Sequence, residues 1–483
     1  MLLPMSPTDS VFLSVESRTA PMHVGGLQLY RPPSGAGDEY VHELFGSMID
    51  SNDVALLFRR RPRRSISTGW QWAWETDEQF DIEHHVRHNA LPRPGRVLEL
   101  LALCSRLHST PLDRQRPLWE AHLIEGLADG RFAIYFKIHH ALVDGMAAQR
   151  ILRSTLSTDP AQRKMPAPWA MRPSRPGDPD QPKQSDPDAR VEANESEHPV
   201  DFSSAMLRAA LSSAISLASE AAGLPAVLLQ TVRRGLRDEP APMSFSAPKS
   251  IFNVPITGSR RVAAQSWPLE RINAVRKAAG SGMTVNDVVL AMCSGALRTY
   301  LSALNELPDA PLIAMVPVAL RPRERSGGSG GNAVGAVMVN LGTHQSDPAD
   351  RLRSVHHSMV EGKRALSVMT PIQILAMSGL GMSPLVLQSI LGLSGLTRPP
   401  FNLIISNVPG PRSSLYLNGA RLDGMYPLSI PFDGQALNIT CTSYAQDLAF
   451  GLTGCRRTVP HLQRLLTYLD EELQALEGSV GIS

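Results

Sequence analysis

Cysteine is scarce in this chain of 483 residues: there are four, Cys104, Cys293, Cys441 and Cys455, far apart and without a CxxC pair. That spacing gives no thiolate metal motif and predicts a reduced intracellular protein. Excess charge of one sign is missing too. With 47 basic and 45 acidic residues the net charge is +2, which gives no general reason to expect a nucleic-acid partner. Met1 to Pro4 lack the charged start and long apolar stretch of a secretory signal, so export is not expected. The uncharged run Ala365 to Thr397 is interrupted by Pro371, Pro384 and several glycines, which argues against a single spanning helix. Broken apolar helices are expected there, either buried or set against a lipid surface or substrate channel. The glycine-rich stretch 327 to 342, GGSGGNAVGAVMVNLG, lacks the Lys-Ser/Thr that would complete a phosphate loop.

What is present is centred on FAIYFKIHHALVDGM, residues 132 to 146. Phe132, Ile134, Phe136 and Ile138 alternate with Ala133, Tyr135, Lys137 and His139, the period of a strand with one apolar face. His140 falls on the apolar side and His139 on the other. Asp144-Gly145 then makes a turn, and the residues after it read as a helix. A neutral imidazole in such a place can take a proton from a hydroxyl as general base. Asp144 would support the loop through backbone bonds or a distant Arg, and Gly145 would allow the turn. The competing reading is a packed strand pair with Asp144 as a helix cap. Two other adjacent pairs, His84-His85 and His356-His357, serve as controls, since neither is followed by Asp-Gly at that spacing. No metal is expected at His139-His140, because neighbouring strand residues face opposite ways.

HHALVDG at 139 to 145 resembles the HHxxxDG signature of the CoA-dependent acyltransferase superfamily, which includes condensation domains of peptide synthetases. More narrowly, the chain resembles the bacterial wax ester synthase/diacylglycerol acyltransferase family, through motifs in the right order along nearly its whole length. These are MSPTDSVFL (5 to 13), FDIEHHVRHNALPRPG (80 to 95), RPLWEAHLIEGL (116 to 127), TVNDVVLA (284 to 291) and SNVPGP (406 to 411). The resemblance implies an α/β fold, an α+β sandwich of two chloramphenicol-acetyltransferase-like domains with the active site at their interface. It implies acyl-CoA as substrate with no cofactor, diacylglycerol as acceptor with long-chain fatty alcohol second, and His140 as the base. His139, Asp144 and Gly145 would support the loop, and Asn286, Asn407, Pro409 and Gly410 would line the substrate. A cytoplasmic protein peripheral to the inner face of the membrane or to lipid inclusions is the corresponding expectation. A condensation-type enzyme using carrier-protein thioesters and an inactive lipid-surface binding protein are the alternatives; no carrier domain is visible.

The expected organisation is an N-terminal domain over 1–158, a linker with crossover helices over 159–243, and a C-terminal domain over 244–483. Residues 159 to 201 are rich in Pro, Asp, Ser, Arg and Gln, and 202 to 237 in Ala, Leu and Ser with Pro225 inside. Strands are expected at 24–30, 132–138, at LIAMVPVAL, at FNLIISNV and in a final hairpin, and helices at 39–49, 269–280, from Thr284, and at 459–476. Arg59, Arg60, Arg61, Arg63 and Arg64 form a cluster that reads as a solvated loop, a site for CoA phosphates, or a contact with an anionic membrane. Trp70, Trp72 and Trp74 are expected on one face of a strand, as core packing, an acyl passage or a membrane-interface face. Pro117-Leu118-Trp119 reads as structural. Cys455 stands after the last strand's glycine, where relatives often carry an acid.

Overall fold

The computed structural model describes residues 2–50, 53–143, 151–170, 247–320, 333–367 and 398–482. In chain order the first unit runs β1 (Leu2–Pro4), α1 (Pro7–Val15), β2 (His23–Arg31), α2 (Tyr40–Ile49), β3 (Arg60–Arg64), β4 (Trp72–Thr76), α3 (Ile82–His85), β5 (Val86–Ala90), α4 (Val97–Ser109), β6 (Trp119–Glu125) and β7 (Phe132–His139). The second runs β8 (Arg260–Pro268), α5 (Leu269–Ala278), α6 (Val285–Ala303), β9 (Ile313–Leu320), β10 (Ala333–Asn340), α7 (Pro348–Ser367), β11 (Leu403–Val408), β12 (Tyr416–Leu417), β13 (Ala420–Leu428), β14 (Leu437–Tyr444), β15 (Asp447–Cys455) and α8 (Arg464–Ser479). Asp144 and Gly145, the helices expected over 202–237 and the apolar run beyond Ser367 lie outside the described residues.

Local chemistry accounts for several boundaries. At the start of α6 the Thr284 hydroxyl accepts the Asp287 N–H (3.2 Å) while the Asp287 carboxylate accepts the Thr284 N–H (2.9 Å), so two otherwise orphaned helix donors are satisfied. The last helix starts at Arg464 rather than Val459, because residues before it form a turn with His461 at φ 54°. The tryptophan alternation also stops short of its expected length. β4 begins at Trp72, and Trp70 sits in the preceding turn at φ 62°, exposed, while Trp74 is buried.

Two six-stranded sheets organise the molecule, in orders β12-β13-β2-β7-β6-β5 and β10-β9-β11-β14-β15-β8, beside a three-stranded sheet β1-β4-β3. β7 is central in the first, antiparallel to β2 and β6. Both its faces are buried, not one. Phe132, Ile134, Phe136 and Ile138 join one apolar cluster, and Ala133 and Tyr135 join another that includes α4. In the second sheet the period-two pattern splits cleanly. Ala314, Val316, Val337, Val339, Leu403 and Ile405 pack on α6, α7 and α8, whereas Met315, Ala336 and Ile404 join the first unit's cluster. One face of that sheet therefore carries its own helices and the other faces the first unit.

Two devices join the units. β13, late in the chain, pairs antiparallel with β2, so residues 420–428 complete the first sheet. At the other junction α4 covers the free edge of β8. The Ser109 hydroxyl accepts the Arg260 N–H (2.7 Å) and the Ser105 hydroxyl the Val262 N–H (2.9 Å), while each donates back into its own helix. The match is geometric: four residues of helix rise about 6 Å, close to the span of about 7 Å for two residues of strand. An edge that would otherwise be open to another chain is closed.

Candidate active site

β7 ends at the paired histidines, and its backbone holds them between both neighbouring strands. The His139 N–H donates to Leu118 O (3.0 Å), in the Pro117-Leu118-Trp119 segment, and the His140 N–H donates to Met22 O (2.9 Å), beside β2. Successive N–H groups thus point to opposite neighbours, and both imidazoles meet the end of α1, His140 at Phe12 and His139 at the C-cap Glu16. His140 is 1% exposed and its ring stacks on Phe12 of α1, centroids 5.0 Å apart and planes within 12°. Around it Met22, Ala141, Leu142 and Val143 belong to the apolar cluster shared with the second unit.

His139 faces a charged support. Its Nδ1 accepts the Ala141 N–H (3.0 Å), which fixes the proton of the neutral ring on Nε2. Nε2 lies 3.3 Å from Glu16 Oε1. Glu16 also accepts the Met22 N–H (3.0 Å) and both Nε and Nη2 of Arg114 (3.0 and 2.9 Å). Burial pushes the Glu16 carboxyl up, but His139, the Met22 N–H and Arg114 outweigh it and bring it down to about 2. The Met22 residue therefore bridges the two histidines: its N–H is bound by the carboxylate that approaches His139, and its carbonyl holds His140.

Deeper on the same face, polar groups close the end of α4. The fully buried Lys137 donates to Leu107 O, Thr110 O and Glu120, the last at 2.9 Å. The Tyr135 hydroxyl donates to His108 Nδ1 (2.8 Å), and His108 Nε2 donates to Ser429 O. Burial lowers Lys137 and takes His108 down to about 3, so His108 is neutral at pH 7. Lys137 stands at a polar position of the alternation, the one sequence signal for this layer. Glu16 and Arg114 carried none, because their meeting with His139 is made only by the fold.

The other predicted residues stand elsewhere. Asn286 is half-buried in the first turn of α6, on the helix that packs against the sheet face turned away from the first unit, next to Asp287, which binds His356 (2.9 Å). Asn407 shares the strand parity of Leu403 and Ile405, the helix-facing side; Ser406 shares that of Ile404. Pro409 is exposed. Gly410 donates to the Ser443 hydroxyl (2.9 Å), and a Cβ there would lie 1.9 Å from Ser443 O, so its close approach is to the neighbouring strand. Of the control pairs, His85 stacks on Trp119 (4.7 Å) and binds its carbonyl, and His356 binds Asp287. Cys455 accepts the Thr257 N–H at 3.4 Å; burial pushes its thiol up, but Thr257 and Thr458 bring it down to about 7.

Two family models match the chain. Residues 5–289 match the wax ester synthase/diacylglycerol acyltransferase catalytic domain, and 330–477 match the WS/DGAT C-terminal domain. A probable diacylglycerol O-acyltransferase of Mycobacterium tuberculosis is 48% identical over 478 residues, 99% of each chain. Among solved structures, the wax ester synthase/diacylglycerol acyltransferase of Marinobacter aquaeolei is 41% identical, with a TM-score of 0.78 over 99% of this chain and 100% of that one. The starter condensation domain of rhizomide synthetase shares the fold at 12% identity, with a TM-score of 0.51 over 99% of this chain and 95% of that one.

Proposed function

Because the chain belongs to the wax ester synthase/diacylglycerol acyltransferase family, we propose that it transfers a long-chain acyl group from acyl-CoA to diacylglycerol, with long-chain fatty alcohol as second acceptor. The observation that carries the chemistry is His140, an imidazole stacked on Phe12 at the end of a central strand, inside an apolar cluster that both units share. His140 takes the proton of the acceptor hydroxyl as its oxygen attacks the thioester carbonyl. A C–O bond forms, the C–S bond breaks, and the imidazolium returns the proton to the departing CoA sulfur. No acyl-enzyme is needed. The apolar cluster suits acyl chains, and the Glu16–His139 support keeps the loop in register with β2.

The proposal includes peripheral attachment to the inner face of the membrane or to lipid inclusions, where such an acceptor is found. No helix among the described residues is long and apolar enough to cross a membrane.

The test is CoA release from palmitoyl-CoA with dioleoylglycerol or hexadecanol. His140→Ala should lower acceptor-dependent release by about 100 to 10,000-fold at unchanged melting temperature. Retention of the rate would overturn the base. Release with neither acceptor by the unaltered protein would favour a carrier-protein thioester or a binding role.

A further inference from the structure

Ile66 and Trp70 are the two most exposed large apolar residues described, at 81% and 62%, and both lie in the turn between β3 and β4. Scattered single apolar residues are ordinary on a surface. Here two share one turn, and that turn is built to hold them out. Ser65 and Thr68 form a capping box, the Trp70 N–H donates to Ser65 O (3.0 Å), and Arg64 donates to Trp70 O. These bonds keep Trp70 at φ 62°, a backbone conformation that bulky L residues rarely adopt.

The surround is cationic. Between Arg60 and Thr76 there are four arginines and one acid, Glu75. Arg61 and Arg63 share that carboxylate, and Arg64 has no carboxylate partner among the described residues; its guanidinium lies over the Trp72 ring at 5.7 Å. A specific protein interface needs on the order of 1,000 Å² with a broad apolar centre, and a two-residue tip set among Ser65, Thr68 and Gln71 offers none. A tryptophan tip flanked by Arg63 and Arg64, at the turn end of the β3–β4 pair, instead matches the headgroup zone of an anionic lipid layer.

The tip is also tied to the catalytic support. The other guanidinium over Trp72 is that of Arg114 (5.7 Å), which holds Glu16, and β1 of the same small sheet is followed at once by α1, whose Phe12 stacks on His140.

We propose that the β3–β4 turn is the lipid-docking tip of this protein: Ile66 and Trp70 enter the headgroup region of an anionic phospholipid surface, and Arg63 and Arg64 bind its phosphates. The inference rests on the peripheral attachment proposed above and gives it a location.

The experiment is flotation of the full chain with vesicles of phosphatidylcholine alone or mixed with phosphatidylglycerol. The unaltered protein should float with the mixed vesicles more than with phosphatidylcholine alone. Arg63→Gln/Arg64→Gln should weaken that partition by about 30-fold, the equivalent of about 2 kcal/mol. Ile66→Ser/Trp70→Ser should weaken it by at least about tenfold, while melting temperature and CoA release with a short water-soluble alcohol stay unchanged. An unaltered protein that floats with neither vesicle would overturn peripheral attachment itself. If it floats and both double variants float equally well, attachment stands and the tip is the wrong surface.

Discussion

Glu16→Gln keeps the side chain's shape and removes its charge. In the native protein the carboxyl is buried, which raises its pKa, yet His139, the Met22 N–H and Arg114 bring it from the ordinary 4.5 to about 2. A pKa depressed in the folded state means stability that is fully present above 4.5 and is lost as pH falls from there toward 2. The depression corresponds to about 3 kcal/mol at pH 7. The variant should lose up to that amount, because Arg114 keeps its charge without its partner. Urea unfolding of both proteins at pH 7 and again near pH 3.5, followed by tryptophan fluorescence, measures it, and the gap should narrow at the lower pH. CoA release should fall by about tenfold in kcat with little change in KM, since the His140 loop is misplaced while the apolar cluster around it is intact. Equal stability at pH 7, or a gap that does not narrow in acid, would refute the claim that this network holds Glu16 ionised.

Ser105→Ala with Ser109→Ala leaves the N–H groups of Val262 and Arg260 without acceptors and should cost about 2 to 4 kcal/mol in denaturant unfolding, roughly half for either alone. Arg351→Met strands the buried Glu472, whose carboxylate lies 2.6 Å from the guanidinium, and should cost about 3 to 5 kcal/mol; adding Glu472→Leu should recover most of it in a thermal melt. Gly410→Ala drives a methyl into Ser443 O and should destabilise by about 2 kcal/mol or more, seen as a lower melting temperature, which a ligand-facing glycine would not produce.

The sequence by itself determined a great deal here. Alternation placed β7 and put His140 on its apolar side, Thr284 marked the start of α6, and ordered motifs along the chain pointed to the family and its two-unit fold. These are local signals: a side-chain period of two, or a cap three residues from its partner, is set by backbone geometry within one element. What stayed hidden was everything that depends on which elements become neighbours. Nothing near Ala420 says that its strand will cross to pair with β2, because pairing partners are chosen by the packing of the whole sheet. Nothing near Glu16 says that it meets His139 and Arg114, or that Ser105 and Ser109 will cap another unit's strand. Trp70 reads like Trp72 and Trp74 along the chain, and only the turn, by imposing a left-handed backbone, sends it outward while Trp74 goes in. Periodicity fixes which side of an element a residue occupies; only the tertiary fold decides what stands on that side, since long-range contacts are set by the burial of all the elements together.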